Sequence, residues 1–282
     1  MPAGSKGSQE LNFRSHVSPV HRLRHVLRTR ISEHPTLYLP FARRKYPGPS
    51  PEVISSETEL VIDGYTRSAT TFAVYAFQLA QDQPVRIAHH LHAPAQLIAA
   101  AKREVPTLAL IREPEGAILS QLVREPHVDL RDALAAYARF YSCLLPFRPN
   151  FVVGEFDEVT RDFGAVIRQL NERFGTSFAE FVHTEASMRE CFDLIRERPT
   201  LSKTLLGFES GVVTLAELRH ARQRSAHRPE PLDTREVWVP SAEREHSKAV
   251  LRERWLQADL AGLRTQAHVV YQKFLSGAGA GS

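Results

Sequence analysis

The sequence predicts an α/β protein built as three layers, α/β/α, around a central parallel sheet. Three observations point there. Short apolar runs (60–63, 85–89, 107–112 and 151–155) read as strands covered on both faces. Each is followed by a longer stretch of helical pattern, the alternation that gives parallel strands joined by right-handed crossovers. And 282 residues, 43% hydrophobic and 24% charged, suit one large core with appendages.

Taken in order, residues 1–19 are polar and read as a loose start. From Val20 the apolar positions Val20, Leu23, Leu27 and Ile31 follow helical spacing, with Arg22, Arg24, Arg28 and Arg30 mostly elsewhere on the wheel. The favoured reading is a surface helix docked on the core by that stripe; contact with an anionic membrane or a partner is the alternative. "YPGPSPEVISS" (46–56) is a Pro/Gly/Ser linker. The expected division is therefore a basic segment 1–57, an α/β domain 58–275 and a flexible tail 276–282. Within the domain, helices are expected at about 69–82, 93–103, 114–124, 129–145 with Asp129 as N-cap, and 160–174. Beyond residue 185 the pattern is helical and irregular, with a charged loop at 227–236 and a last helix at about 241–274.

Several function classes fall away. No stretch reaches the ~20 apolar residues of a membrane span, and the N-terminus lacks a secretory h-region, so a cytoplasmic location is expected. Cys143 and Cys191 stand far apart and give neither metal spacing nor a disulfide framework. Residues 1–50 hold nine Lys/Arg against two acids, a net of +7, while the remainder carries 27 basic and 30 acidic residues, −3. The basic character thus belongs to the N-terminal segment, and no nucleic-acid partner is expected of the core. Arginine outnumbers lysine 30 to 6, a hint of a GC-rich, bacterial genome.

Two stretches carry anion-binding chemistry. "DGYTRSATTF" (63–72) is a polar turn between strand and helix, with the hydroxyls of Thr66, Ser68, Thr70 and Thr71, the small Ala69 and the cation Arg67. Backbone N–H groups at a helix start, the helix dipole and these side chains together make a cradle for phosphoryl or sulfuryl oxygens. It lacks the second Gly and the Lys of a nucleotide-triphosphate loop. In "IREPEGAILS" (111–120), Arg112 ends a buried strand and Ser120 follows on the ensuing helix, so the two can surround one phosphate. Pro114 fits the first helical turn.

Together these stretches resemble the PAPS-dependent sulfotransferase family, a P-loop-like α/β fold. "GYTRSATTF" is similar to the family loop Y-P-K-S-G-T-T-W at Tyr65, Ser68, Thr70 and Thr71, with an aromatic at Phe72. "REPEGAILS" matches R-x-P-x-x-x-x-x-S at Arg112, Pro114 and Ser120, and "FVVGEFDEVTRDFGAVIRQLNERFG" (151–175) looks like the family's strand, acidic turn and helix. Arg67 stands where the family has Lys and Ala69 where it has Gly. The family's C-terminal R-K-G-x-x-G segment has no counterpart; Arg224 and Arg228 offer cations in that region.

The resemblance implies PAPS as sulfuryl donor, a small-molecule or glycan hydroxyl as acceptor, direct in-line transfer and no metal. It assigns Tyr65 to Thr71 to the phosphosulfate, and Arg112 and Ser120 to the 3′-phosphate. In "RIAHHLHAPAQL" (86–97) it aligns His90-Leu91 with the family's His-Leu. A neutral imidazole titrating near ambient pH suits deprotonation of the acceptor. His90 is expected as the base, with His92, on the same side of an extended backbone, as substitute or orienting neighbour. The alternatives are a P-loop-type kinase and a non-catalytic member of the same fold.

Overall fold

The computed structural model describes residues 19–200, 202–224 and 242–277. Four parallel strands, β1 (Leu60–Gly64), β2 (Ile87–His89), β3 (Thr107–Ile111) and β4 (Val152–Glu155), form one sheet in the order β2-β1-β3-β4. Two helices precede the sheet, α1 (Pro19–Ile31) and α2 (Pro35–Lys45). The crossovers are α3 (Thr70–Ala80), α4 (Pro94–Lys102), α5 (Pro114–Arg124) and α6 (Leu130–Ser142). After β4 come α7 (Phe156–Arg161), α8 (Phe163–Phe174), α9 (Glu185–Glu197), α10 (Lys203–Glu209), α11 (Leu215–Arg224), α12 (Ala242–Trp255) and α13 (Ala261–Ser276).

Alternate strand residues feed two separate cores. Leu60, Ile62, Leu108 and Leu110 pack with Phe72, Val74 and Phe77 of α3 and with α8 to α10. Val61, Ala109 and Ile111 face the other way, onto α4, α5, α6 and α13. The sheet is thus covered on both faces, which is why its strands read as continuous apolar runs. Likewise α3, "TTFAVYAFQLA", is apolar all round because α9 lies on its outer side.

The expected elements are present with some changes of boundary. The helix expected at 160–174 is two, parted at Asp162, whose side chain accepts from Ala165 N and caps α8. The helix expected at 241–274 divides into α12 and α13 around a short 3-10 turn at Ala258–Leu260. Segment 46–56 is more than a spacer: Val53 and Ile54 are buried, Glu52 bridges to His89, and Ile54 N donates to Gln96. With Tyr38, Leu39 and Ala42 of α2, these residues join the same core as α4 to α6. The charged loop 227–236 and residues 1–18 and 278–282 lie outside the described residues.

Helix α1 docks the other way round from the reading in which its apolar stripe meets the core. Its polar side meets α6, with Arg22 on Asp132, while Val20, Leu23 and Leu27 stay 59, 68 and 55% exposed. No helix among the described residues is long and apolar enough to cross a membrane.

From β1 the chain moves to β2 on one side and then to β3 on the other. The crevice beyond the carboxyl ends of β1 and β3 is therefore the switch point where ligands of such sheets bind. The two strand ends are pressed together there: a Cβ on Gly64 would lie 2.1 Å from the Leu110 carbonyl oxygen. Beside this contact the buried Tyr141 Oη donates to Leu110 O (2.9 Å) and accepts from Tyr65 N (3.3 Å). Burial raises the Tyr141 pKa, so the phenol stays protonated and able to donate. Tyr141→Phe should lower unfolding free energy by about 1–3 kcal/mol, the cost of stranding two buried backbone groups, measured by urea denaturation. An unchanged midpoint would mean that this hydroxyl holds nothing together.

Candidate functional site

A cavity of about 520 Å³ opens at the switch point, and the loop after β1 forms its floor. The loop turns into α3 through two left-handed residues, Arg67 (φ 69°) and Ala69 (φ 68°). That conformation costs an L-residue roughly 1–2 kcal/mol and explains why glycine suits the position held here by Ala69. Ala69 is also the N-cap of α3 and has no side chain with which to cap it. Helices α5, α6 and α8 are capped by Glu113, Asp129 and Asp162, whereas α2, α4, α10 and α13 share with α3 the lack of a side-chain cap. Thr70 Oγ1 is buried with no hydrogen-bond partner, although Thr70 lines the cavity. An uncapped helix start and an orphaned hydroxyl on one cavity wall fit an anion's oxygens.

The second motif meets the first here. Arg67 Nε donates to Ser120 Oγ at 2.9 Å, and Arg112 Nη1 donates to the Arg67 carbonyl at 3.4 Å. Arg112 stacks on the Phe156 ring at 3.8 Å, and its carbonyl accepts from Tyr137 Oη at 2.6 Å. Gly116 leaves room for that guanidinium, since a Cβ there would lie 2.9 Å from Arg112 Nε. Ser120 is thus engaged by Arg67, and the two expected subsites are one continuous surface.

Cations dominate this surface. Arg67, Arg112, Arg124, Arg198, Arg244 and Lys248 line the cavity against Glu125 and Glu245. Arg198 is neutralised from behind by the buried Glu209 at 2.5 Å. Burial, and then Arg244, Arg124 and Arg112, bring the Arg67 pKa down to about 9. Burial likewise lowers Arg112, against the pull of Asp157, Glu113, Glu245 and Glu155, and lowers Arg244, where Arg124 and Arg112 add to it. A polyanionic ligand would relieve that crowding.

The histidines sit on the turn after β2. His90 and His92 have φ of 58° and 49°, so the extended backbone expected for them is replaced by two left-handed residues. Asp63, fully buried at the end of β1, holds the turn. Its carboxylate accepts from Gly64 N, Leu91 N, His92 N and Gln96 Nε2 at 2.9–3.3 Å. Both rings nevertheless line the cavity. His90 has both nitrogens engaged, Nδ1 with His89 Nδ1 at 2.6 Å and Nε2 with Thr71 Oγ1 at 3.0 Å. His92 Nδ1 donates to Gly64 O at 2.9 Å and stands 3.3 Å from Asp63 Oδ1, so in the neutral ring Nε2 is the acceptor.

The remaining sequence candidates divide. Thr66, Arg67, Ala69, Thr70, Thr71, Arg112 and Ser120 line the cavity. Ser68 is fully buried beneath it. Tyr65 is buried as well, its hydroxyl donating to Gln121 Oε1 and Ala133 O, so it ties the loop to α5 and α6. Arg224 is exposed at the end of α11 and does not line the cavity, and Arg228 lies outside the described residues. The cations on that side come instead from Arg244 and Lys248, four apart on α12, and from Arg124, one turn beyond Ser120 on α5. In the sequence, the i, i+4 spacing from Ser120 points to Arg124 and nothing points to Arg244 or Lys248. His89 and His90 do acquire a third neighbour, Glu209, the three ligand atoms lying within 4.8 Å of one another. Arg198 already pairs with that carboxylate and opposes a cation there.

No family model and no curated protein matches the chain. Among solved structures, mouse sulfotransferase SULT7A1, crystallised with PAP, aligns over 77% of this chain and 90% of its own. The identity is 11% and the TM-score 0.37.

Burial, with Arg198 and His92 nearby, pushes the His89 pKa down to about 3. The unfolded chain would protonate this imidazole near pH 6.5 while the folded protein does not. The linked stability is therefore lost as pH falls below that value, by roughly 1.4 kcal/mol per pH unit. Tm should drop between pH 7 and pH 5 and drop less in His89→Asn; equal slopes in both proteins would contradict a buried neutral His89.

Proposed function

We propose that this chain is a sulfotransferase that moves the sulfuryl group of PAPS to a hydroxyl of a small molecule or glycan. One observation carries the reading: two motifs about fifty residues apart converge on one cation-rich cavity and are joined there by the Arg67–Ser120 hydrogen bond. PAPS supplies an activated sulfuryl group on a phosphosulfate bond. In this reading the start of α3, Thr70, Thr71 and Arg67 hold the phosphosulfate. Preorganised N–H groups and a guanidinium there stabilise charge on the departing phosphate oxygen. Arg112 and Ser120, with Arg124, Arg244 and Lys248 nearby, hold the 3′-phosphate, a contact remote from sulfur that contributes binding and orientation.

The base is better assigned to His92 than to His90. His92 Nδ1 is committed as a donor to Gly64 O, so Nε2 can take the acceptor's proton as its oxygen attacks sulfur. His90, hydrogen-bonded at both nitrogens and held well below the ordinary histidine range by burial and by Arg198, positions Thr71.

Calorimetry with PAP tests the binding half. Arg112→Ala should cost about 2–5 kcal/mol of affinity, and unchanged affinity would remove the 3′-phosphate role. PAP release from PAPS, followed across a panel of phenols, alcohols and oligosaccharides, tests the chemistry. His92→Ala should cut turnover about 10²–10⁴-fold with PAP affinity intact, the usual span for a general base. If His90→Ala is the damaging change instead, the assignment of the two rings is reversed.

A further inference from the structure

The outward faces of α1 and α2 belong to neither core. Along α1, Val20, Leu23, Val26 and Leu27 are 42–68% exposed. They form a stripe at helical spacing, bordered by the exposed Arg24 and Arg30. On α2, Leu37 and Phe41 are 62 and 57% exposed, four residues apart, and the exposed Arg44 and Lys45 follow one turn later on that side. The polar face of α1 is already committed, through Arg22 to Asp132 on α6, so the helix is held with its apolar stripe outward.

We propose that α1 and α2 dock the protein on a membrane surface bearing anionic lipids, with the apolar stripe at the acyl boundary and the flanking cations among the headgroups. Apolar side chains edged by arginine, on a segment of net charge +7 over residues 1–50, complement such a surface in both hydropathy and charge. A second copy of the chain is a poorer occupant. A two-fold contact through this patch would bring two arginine-edged faces of like charge together. The inner side of α1 also matters to the site. His25, Arg28, Thr29 and Ser32 line a recess of about 130 Å³ that shares Thr66, His92 and Glu125 with the main cavity. A lipid surface held against α1 would lie one helix diameter, roughly 10 Å, from that recess.

The test is co-sedimentation of the full chain with vesicles of phosphatidylcholine alone or mixed with phosphatidylserine, at low and high salt, with light scattering of the protein alone. The expected result is binding to phosphatidylserine vesicles only, weakened by salt. The double variant Leu23→Glu, Leu27→Glu should reduce it at least about tenfold with an unchanged circular dichroism melt. Arg24→Glu, Arg30→Glu should reduce it similarly while leaving the apolar stripe in place. No binding to either vesicle overturns the proposal, as does equal binding to both. So does a dimer that the Leu23→Glu, Leu27→Glu variant dissolves, since the stripe would then be covered by a second copy.

Discussion

Where β1 and β3 end, no side chain fits between Gly64 and the Leu110 carbonyl, and the rest of the site depends on that contact. Tyr141 spans it, donating to Leu110 O and accepting from the first N–H of the loop. The contact fixes how close the loop after β1 stands to the residue after β3. Arg112 is that residue, and its reach to the Arg67 carbonyl, like the Arg67 bond to Ser120, follows from the spacing. Asp63, one residue before Gly64, then carries the order sideways. Its buried carboxylate gathers the amides of the turn after β2 and so sets His92 against Gly64 O. Three strand ends are thereby locked by one Asp-Gly pair.

The cavity divides its labour by environment. Burial first, and then the neighbouring arginines, depress Arg67 and Arg244, so that wall is poised for an anion of several charges. His89 and His90 are buried beside those cations, and burial with Arg198 holds both below the ordinary histidine range. The same arginines thus serve two ends: they crowd the wall at the start of α3, and Arg198 helps to keep His89 and His90 uncharged.

Much of this was legible in the sequence because it is local. Apolar runs mark buried strands, and the hydroxyl-rich turn before a helix and Arg112 at the end of an apolar strand mark residues that the fold brings to one cavity wall. What was hidden is what depends on contacts between distant segments. Tyr65 reads as a ligand of the loop, yet its hydroxyl binds Gln121 across the fold, and Tyr141, in a helix without a site motif, ties Leu110 O to Tyr65 N. Asp63 reads as the start of a turn, and only the register of β1 against β2 shows that it organises the histidines. Arg244 and Lys248 lie more than a hundred residues beyond Ser120 in a helix with no phosphate signature. Two left-handed residues at His90 and His92 defeat any argument from strand alternation. The outward stripe of α1 was visible as a pattern, but which side of that helix meets the core is decided by Asp132 on α6.

The central claim is that the joined loop and strand end hold a nucleotide carrying both a 5′- and a 3′-phosphate. Thermal shift of the purified protein with PAP, with ATP plus Mg²⁺ and with neither tests it most directly. A ligand at 100 times its Kd stabilises by about 2.7 kcal/mol, a shift of a few degrees. Stabilisation by PAP and not by ATP with Mg²⁺ is the predicted result. Stabilisation by ATP with Mg²⁺ alone would mean that residues 63–72 hold a triphosphate, and the account would fail at its root.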